Sequence, residues 1–129
     1  MGRALTVQRT LAVLAALFGV VTIAAGSRVL LGADPGYVVY RPLLLFNTAM
    51  GVAYVIAAAL AWRDLRQGRD AALAIFGLNL AALAWIGWLH AQGAAVATTS
   101  VGAMSLRTGF WLAVAVALAA LARRGRSAR

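Results

Sequence analysis

Apolar residues run along this chain in four long blocks, from Thr10 to Leu31, Pro42 to Trp62, Ala71 to His90 and Leu106 to Ala122. Each is close to the roughly 20 helical residues that a bilayer crossing requires. No stretch alternates apolar and polar positions as a membrane strand does, which excludes a β-barrel. The pattern predicts an all-α fold, an integral membrane four-helix bundle. The connections are short, so the predicted order is up-down-up-down, with both termini on the same side. Asp34-Pro35-Gly36 marks a turn between the first two spans. In Arg63 to Asp70, Gly68 is positioned to end one helix and Asp70 to cap the next. The segment Ala91 to Ser105, rich in Ala, Thr, Ser and Gly, reads as the third loop. The whole of 1–129 reads as a single four-span domain.

Polar and small residues interrupt these blocks at helical spacing. Asn47, Met50, Gly51, Tyr54 and Ala58 fall on one stripe of the second span. Phe76, Asn79, Leu83, Ile86 or Gly87, and His90 form a similar stripe on the third, and Ala15, Gly19, Thr22 and Gly26 on the first. Arg107, Thr108 and Trp111 are expected together at the outer end of the fourth. Lipid disfavours an amide, and small residues let helix backbones approach closely, so these stripes should face inward. Tyr54 lies about 18 Å and Asn79 about 16 Å along their helices from the outer ends, which places both near midplane and within hydrogen-bonding prospect of each other. Asn47 is expected shallower, level with Trp85 and Trp111, with His90, Arg41 and Arg107 at the outer boundary.

The composition fits this picture. Of 129 residues, 64% are hydrophobic and only 12% charged, too little charge for the surface of a soluble domain. Every basic residue is Arg, and alanine is abundant, a composition typical of a high-GC bacterial genome. The net charge of +9 would suggest nucleic acid in a soluble protein. Here the arginines gather on one side instead: Arg3, Arg9, Arg63, Arg66, Arg69, Arg123, Arg124, Arg126 and Arg129 against Arg28, Arg41 and Arg107. The bias predicts both termini in the cytoplasm of a bacterial inner membrane and argues against dual topology. Arg28, Arg41, Arg123 and Arg124 are expected to anchor at lipid headgroups, Arg28 with Asp34 as an alternative partner. Trp62, Trp85, Trp88 and Trp111 read as an aromatic belt. The first apolar block exceeds a usual signal-peptide core, so it is expected to remain as a span. Ala16-Leu17-Phe18-Gly19 and Ala74-Ile75-Phe76-Gly77 hint at duplicated hairpins.

Reactive chemistry is sparse. There is no cysteine, and the acids are Asp34, Asp64 and Asp70, all at loops or helix starts. Proton-coupled transport normally uses an intramembrane carboxylate. The small multidrug-resistance transporters, of similar size, depend on an embedded glutamate, and this chain has no Glu. Fluoride channels of similar size have a dual topology that the arginine bias opposes. No catalytic triad, metal-ligand spacing or phosphate-binding glycine loop is present, so no catalytic residue, metal or cofactor is expected.

The span from Arg9 to Gly26, with Met50-Gly51-Val52-Ala53-Tyr54 followed by an Arg-bearing turn, resembles the DoxX-like group of small bacterial four-helix membrane proteins. That resemblance implies association with redox or respiratory membrane systems. The acidic residue often found in that group's second span has no counterpart here.

Three roles follow. The first is a non-catalytic accessory or scaffold subunit that packs against itself or a larger membrane complex, with membrane lipids as its other partners. The second is an outer-leaflet binding or transport module for a lipid, quinone or other amphiphile. The third is a DoxX-like redox component. Asn47, Gly51, Tyr54, Asn79, Trp85, His90, Arg107 and Trp111 are the candidate residues of a pocket or packing seam.

Overall fold

The structure, a computed structural model, describes residues 2–127, with side chains described through Gly125. Arg129 and the side chain of Arg126, counted above among the cytoplasmic charges, lie outside this range. Four helices account for the fold: α1 (Gly2–Leu30), α2 (Arg41–Arg63), α3 (Leu65–Ala91) and α4 (Thr98–Ser127). All four are long and apolar enough to cross a membrane. Their lengths correspond to about 35–45 Å, so their ends reach past a hydrocarbon core of about 30 Å.

Successive helices run antiparallel and lie side by side. The α1–α2 seam shows why. Ala12, Ala15, Gly19, Thr22 and Gly26 recur every three or four residues and are all buried. A Cβ on Gly19 would lie 2.9 Å from the carbonyl oxygen of Gly51, and one on Gly51 would lie 3.1 Å from the backbone nitrogen of Ile23. The two backbones therefore touch, which only glycine at both positions permits. Farther along, Gly26 packs against Thr48, and Gln8 Nε2 donates to the Ala61 carbonyl at 2.7 Å.

A single residue, Asp64, joins α2 to α3. Its carboxylate accepts from the backbone N–H groups of Arg66 (2.9 Å) and Gln67 (3.4 Å), so it caps α3. This corrects two expectations. Gly68 ends no helix: it is buried in the first turn of α3 against the backbone of Ala61, and that close approach is why it is glycine. Asp70 caps nothing and instead pairs with Arg69 at 2.9 Å.

At the opposite end, Asp34 Oδ1 accepts from the Gly36 N–H at 2.9 Å, with Gly36 at φ +83°. Arg28 does not pair with Asp34; among the described residues the one ion pair is Arg69–Asp70. The third loop is shorter than expected, because α4 begins at Thr98 rather than Leu106. Arg107 is therefore nine residues inside its helix, about 14 Å from the start, and not at its outer end. The positions behind the hint of duplication are not equivalent in the fold. Gly19 is buried in a seam while Gly77 faces open space, and Arg41 opens α2 while Arg107 does not open α4.

Aromatic rings fill the middle of the bundle, where Phe18, Tyr54, Phe110 and Trp111 form a connected set. Leu43, Ala82, Ile86, Val96 and Met104 make a second core toward the Asp34 end. α1 packs on α2, α2 on α3 and α3 on α4, but α1 and α4 barely touch. One bridge across that edge is Phe18 stacked on Phe110, with centroids 4.4 Å apart and planes 4° from parallel. The α1–α4 edge is otherwise a gap, and it positions the site.

Candidate functional site

Asn47 is six residues into α2, about 9 Å from its start. Arg107, on α4, approaches the same place from the other wall. Between them lies a cavity of about 190 Å³. Its walls come from α1 (Thr22, Gly26), the 35–40 loop (Tyr40), α2 (Asn47) and the early turns of α4 (Ser100, Arg107). Gly26 and Ala25 keep the α1 wall thin, and the helical extension of α4 back to Thr98 brings Ser100 and Ala103 to face it.

Among the described residues, two polar groups here lack protein partners. Asn47 is 8% exposed, and its Oδ1 is buried with no hydrogen-bond partner. The remaining exposure of that side chain falls on its other atoms, the amide nitrogen among them, and the residue lines the cavity. Arg107 is half-buried and has no ion-pair partner among the described residues. The Thr22 hydroxyl is not in this position, since it donates to the Phe18 carbonyl one turn back at 2.7 Å.

Below the cavity runs an apolar groove of about 410 Å³ along the α1–α4 gap. Leu14, Leu17, Phe18 and Val21 of α1 face Leu106 and Phe110 of α4 across it. Cavity and groove share Thr22, Ala25, Ala103 and Arg107, so they adjoin. From Leu14 to Ala25 the groove follows α1 for about 16 Å.

Of the residues singled out by sequence, Asn47 and Arg107 come together here. Gly51 lies in the α1–α2 seam. Tyr54 and Asn79 meet deeper in the bundle, where the amide nitrogen donates to the Tyr54 hydroxyl at 3.0 Å and the Asn79 carbonyl stands 3.2 Å from the same hydroxyl. Trp111 corrects the expectation of an anchor at the outer end. It is 1% exposed, its ring lies 5.0 Å from that of Tyr54, and its Nε1 has no partner. The early start of α4 pushes it down to the Tyr54 layer. Trp85 is 40% exposed and packs edge-on against Tyr40, outside the cavity. His90 does not point with the buried Asn79. It is exposed, and its Nδ1 lies 2.8 Å from the Val96 carbonyl, which requires the proton on Nδ1 and ties down the third loop. Arg28, Arg41, Arg123 and Arg124 are all exposed near helix ends, positions from which they reach headgroups.

Ser100 and Tyr40 escaped the sequence reading. The signal was present for Ser100: the stripe from Trp111 through Arg107 and Met104 continues to Ser100 at the same spacing. Tyr40 carries no such signal, because a loop brings it in.

No protein family, no curated protein and no solved structure matches this chain. The cavity lining supplies a cation, an amide and hydroxyls but no carboxylate, imidazole or thiol. That set can hold a ligand by charge and hydrogen bonds.

Proposed function

We propose that this small multi-pass membrane protein is a non-catalytic binding module for an amphiphile. The headgroup occupies the cavity and the tail lies in the α1–α4 groove. The Asp34 end faces outward, and the arginine-rich end with both termini faces the cytoplasm of a bacterial inner membrane. One observation carries the reading: a nine-tenths buried Asn47 and an Arg107, neither with its polar partner among the described residues, line one cavity at the head of an apolar groove. A buried polar atom without a partner costs about 1–3 kcal/mol. A charged side chain carried into the hydrocarbon pays a desolvation cost. A ligand that pairs with Arg107 and accepts from the Asn47 amide nitrogen offsets the second of these costs, and lateral access through the gap lets it enter from the lipid.

The role of accessory subunit is compatible with this, since a lipid-binding helix bundle can sit within a larger complex. A redox role of the kind the DoxX-like resemblance implies would place a quinone in the same cavity.

The test is native mass spectrometry of the chain purified in mild detergent. The expected result is a retained amphiphile that is lost when Ala25→Trp fills the shared wall of cavity and groove. A chain that carries no amphiphile in any membrane extract, or an Ala25→Trp variant that retains it fully, contradicts the proposal.

A further inference from the structure

Resting on that reading, we infer that the amphiphile is an oxyanion lipid, its phosphate or carboxylate head between Arg107 and Asn47 and one tail in the groove. It belongs to the leaflet at the Asp34 end.

The first argument is charge. A guanidinium has five N–H donors and no acceptor, and it does not deprotonate in a protein. No carboxylate pairs with Arg107 among the described residues. A neutral headgroup would leave that charge unmatched in a site walled by Leu43, Leu44 and Val39.

The second argument is hydrogen-bond polarity. Asn47 Oδ1 is occluded, so the part of the amide that a ligand can reach is its nitrogen, a donor. Donors therefore face the ligand from α2 and α4 together. An oxyanion offers several lone pairs in a small volume and accepts strong, charge-assisted bonds from such a pair. A quinone also accepts, but it is uncharged.

The third argument is size. Pockets that enclose whole drug-sized ligands occupy about 300–1,000 Å³. The cavity, at about 190 Å³, is smaller and takes a headgroup rather than a whole lipid. The tail must leave through the shared wall at Ala25 and Ala103 into the groove. The groove's length of about 16 Å is half of a hydrocarbon core of about 30 Å, which is the depth of one leaflet.

The experiment titrates the full chain in detergent with phosphatidylglycerol, phosphatidylcholine, a long-chain fatty acid, a quinone and free glycerol phosphate. Binding is read by native mass spectrometry and folding by circular dichroism and thermal midpoint. Wild type is expected to bind the anionic lipids saturably and at least tenfold more tightly than phosphatidylcholine or the quinone. Free glycerol phosphate, lacking a tail, is expected to bind at least tenfold more weakly than phosphatidylglycerol. Arg107→Gln should weaken phosphatidylglycerol at least tenfold, and Arg107→Lys should recover part of the loss. Asn47→Asp keeps the shape of the side chain but sets a carboxylate beside Arg107. It should expel the anionic lipid while the thermal midpoint holds or rises. Arg63→Gln, which removes an exposed arginine at the far end of α2 from the cavity, should change binding less than twofold.

Equal binding of phosphatidylglycerol and phosphatidylcholine, unaffected by Arg107→Gln, overturns the oxyanion assignment and leaves amphiphile binding intact. Preference for the quinone does the same. Glycerol phosphate binding as tightly as the lipid overturns the place of the tail. Loss of every amphiphile from the wild-type chain defeats the binding reading itself.

Discussion

The side chains of Tyr54 and Asn79, both fully buried, face each other across the α2–α3 contact with the amide nitrogen 3.0 Å from the hydroxyl. A second contact of 3.2 Å joins the hydroxyl to the amide carbonyl. In membrane bundles such a bond averages about 0.6 kcal/mol, with a ceiling of about 1.7 kcal/mol. A double-mutant cycle of Tyr54→Phe and Asn79→Leu, followed by unfolding in mixed micelles, should return a coupling energy in that range. Strict additivity would mean the pair contributes nothing beyond packing.

Gly68 and Gly77 sit on the same helix and make opposite predictions. A Cβ at Gly68 would overlap the Ala61 backbone, whereas at Gly77 it would meet nothing within 4 Å. Gly68→Ala should destabilise the protein by about 1–3 kcal/mol, the usual cost of overpacking. Gly77→Ala should be neutral or raise stability by up to about 1 kcal/mol through reduced backbone entropy. Thermal midpoints of the two variants decide, and a reversed order would contradict the close α2–α3 approach.

Asp64 caps α3 with two backbone hydrogen bonds, while Asp70 meets only its neighbour Arg69 at the surface. Asp64→Ala should cost about 0.5–2 kcal/mol. Asp70→Ala should change stability little, since exposed ion pairs contribute about 0–1 kcal/mol. If denaturation curves show the larger loss for Asp70→Ala, the one-residue connection is wrong.

Much of this architecture can be read from the chain. Four long apolar blocks force four helices, because a backbone in lipid must satisfy its own hydrogen bonds. Stripes such as Asn47–Met50–Gly51–Tyr54 announce their buried face by spacing alone, and every one of those residues is buried. The start of α4 was hidden by composition. Thr98 to Ser105 is polar and small, which reads as loop in a soluble frame, but its amide groups are spent in a helix that continues into the membrane. That single misplacement moved Arg107 and Trp111 to the rim. The cavity itself was not legible, because its walls come from α1, the 35–40 loop, α2 and α4, around Thr22, Tyr40, Asn47 and Arg107, which no periodicity links. The short turns around Asp64 misled differently: Gly68 is a signal for a chain break or for a close approach, and only the neighbouring Ala61 distinguishes them.

His90 holds the third loop through the Val96 carbonyl rather than reaching the cavity. His90→Ala should cost about 0.5–1.5 kcal/mol. It should also speed amide exchange in the 92–97 loop and leave lipid retention unchanged. Hydrogen-exchange mass spectrometry reads the first effect and native mass spectrometry the second. Unaltered loop exchange, or lost lipid, would show that the histidine acts elsewhere.

The most direct measurement follows the Asn47 side-chain amide and the Arg107 Nε–H by NMR in micelles as a short-chain phosphatidylglycerol is added. Both resonances should shift together and saturate at one lipid per chain, while the Asn79 amide, paired with Tyr54 below the cavity, stays in place. Shifts at Asn47 and Arg107 that fail to saturate, or that are no larger than the shift at Asn79, would contradict a headgroup bound between them.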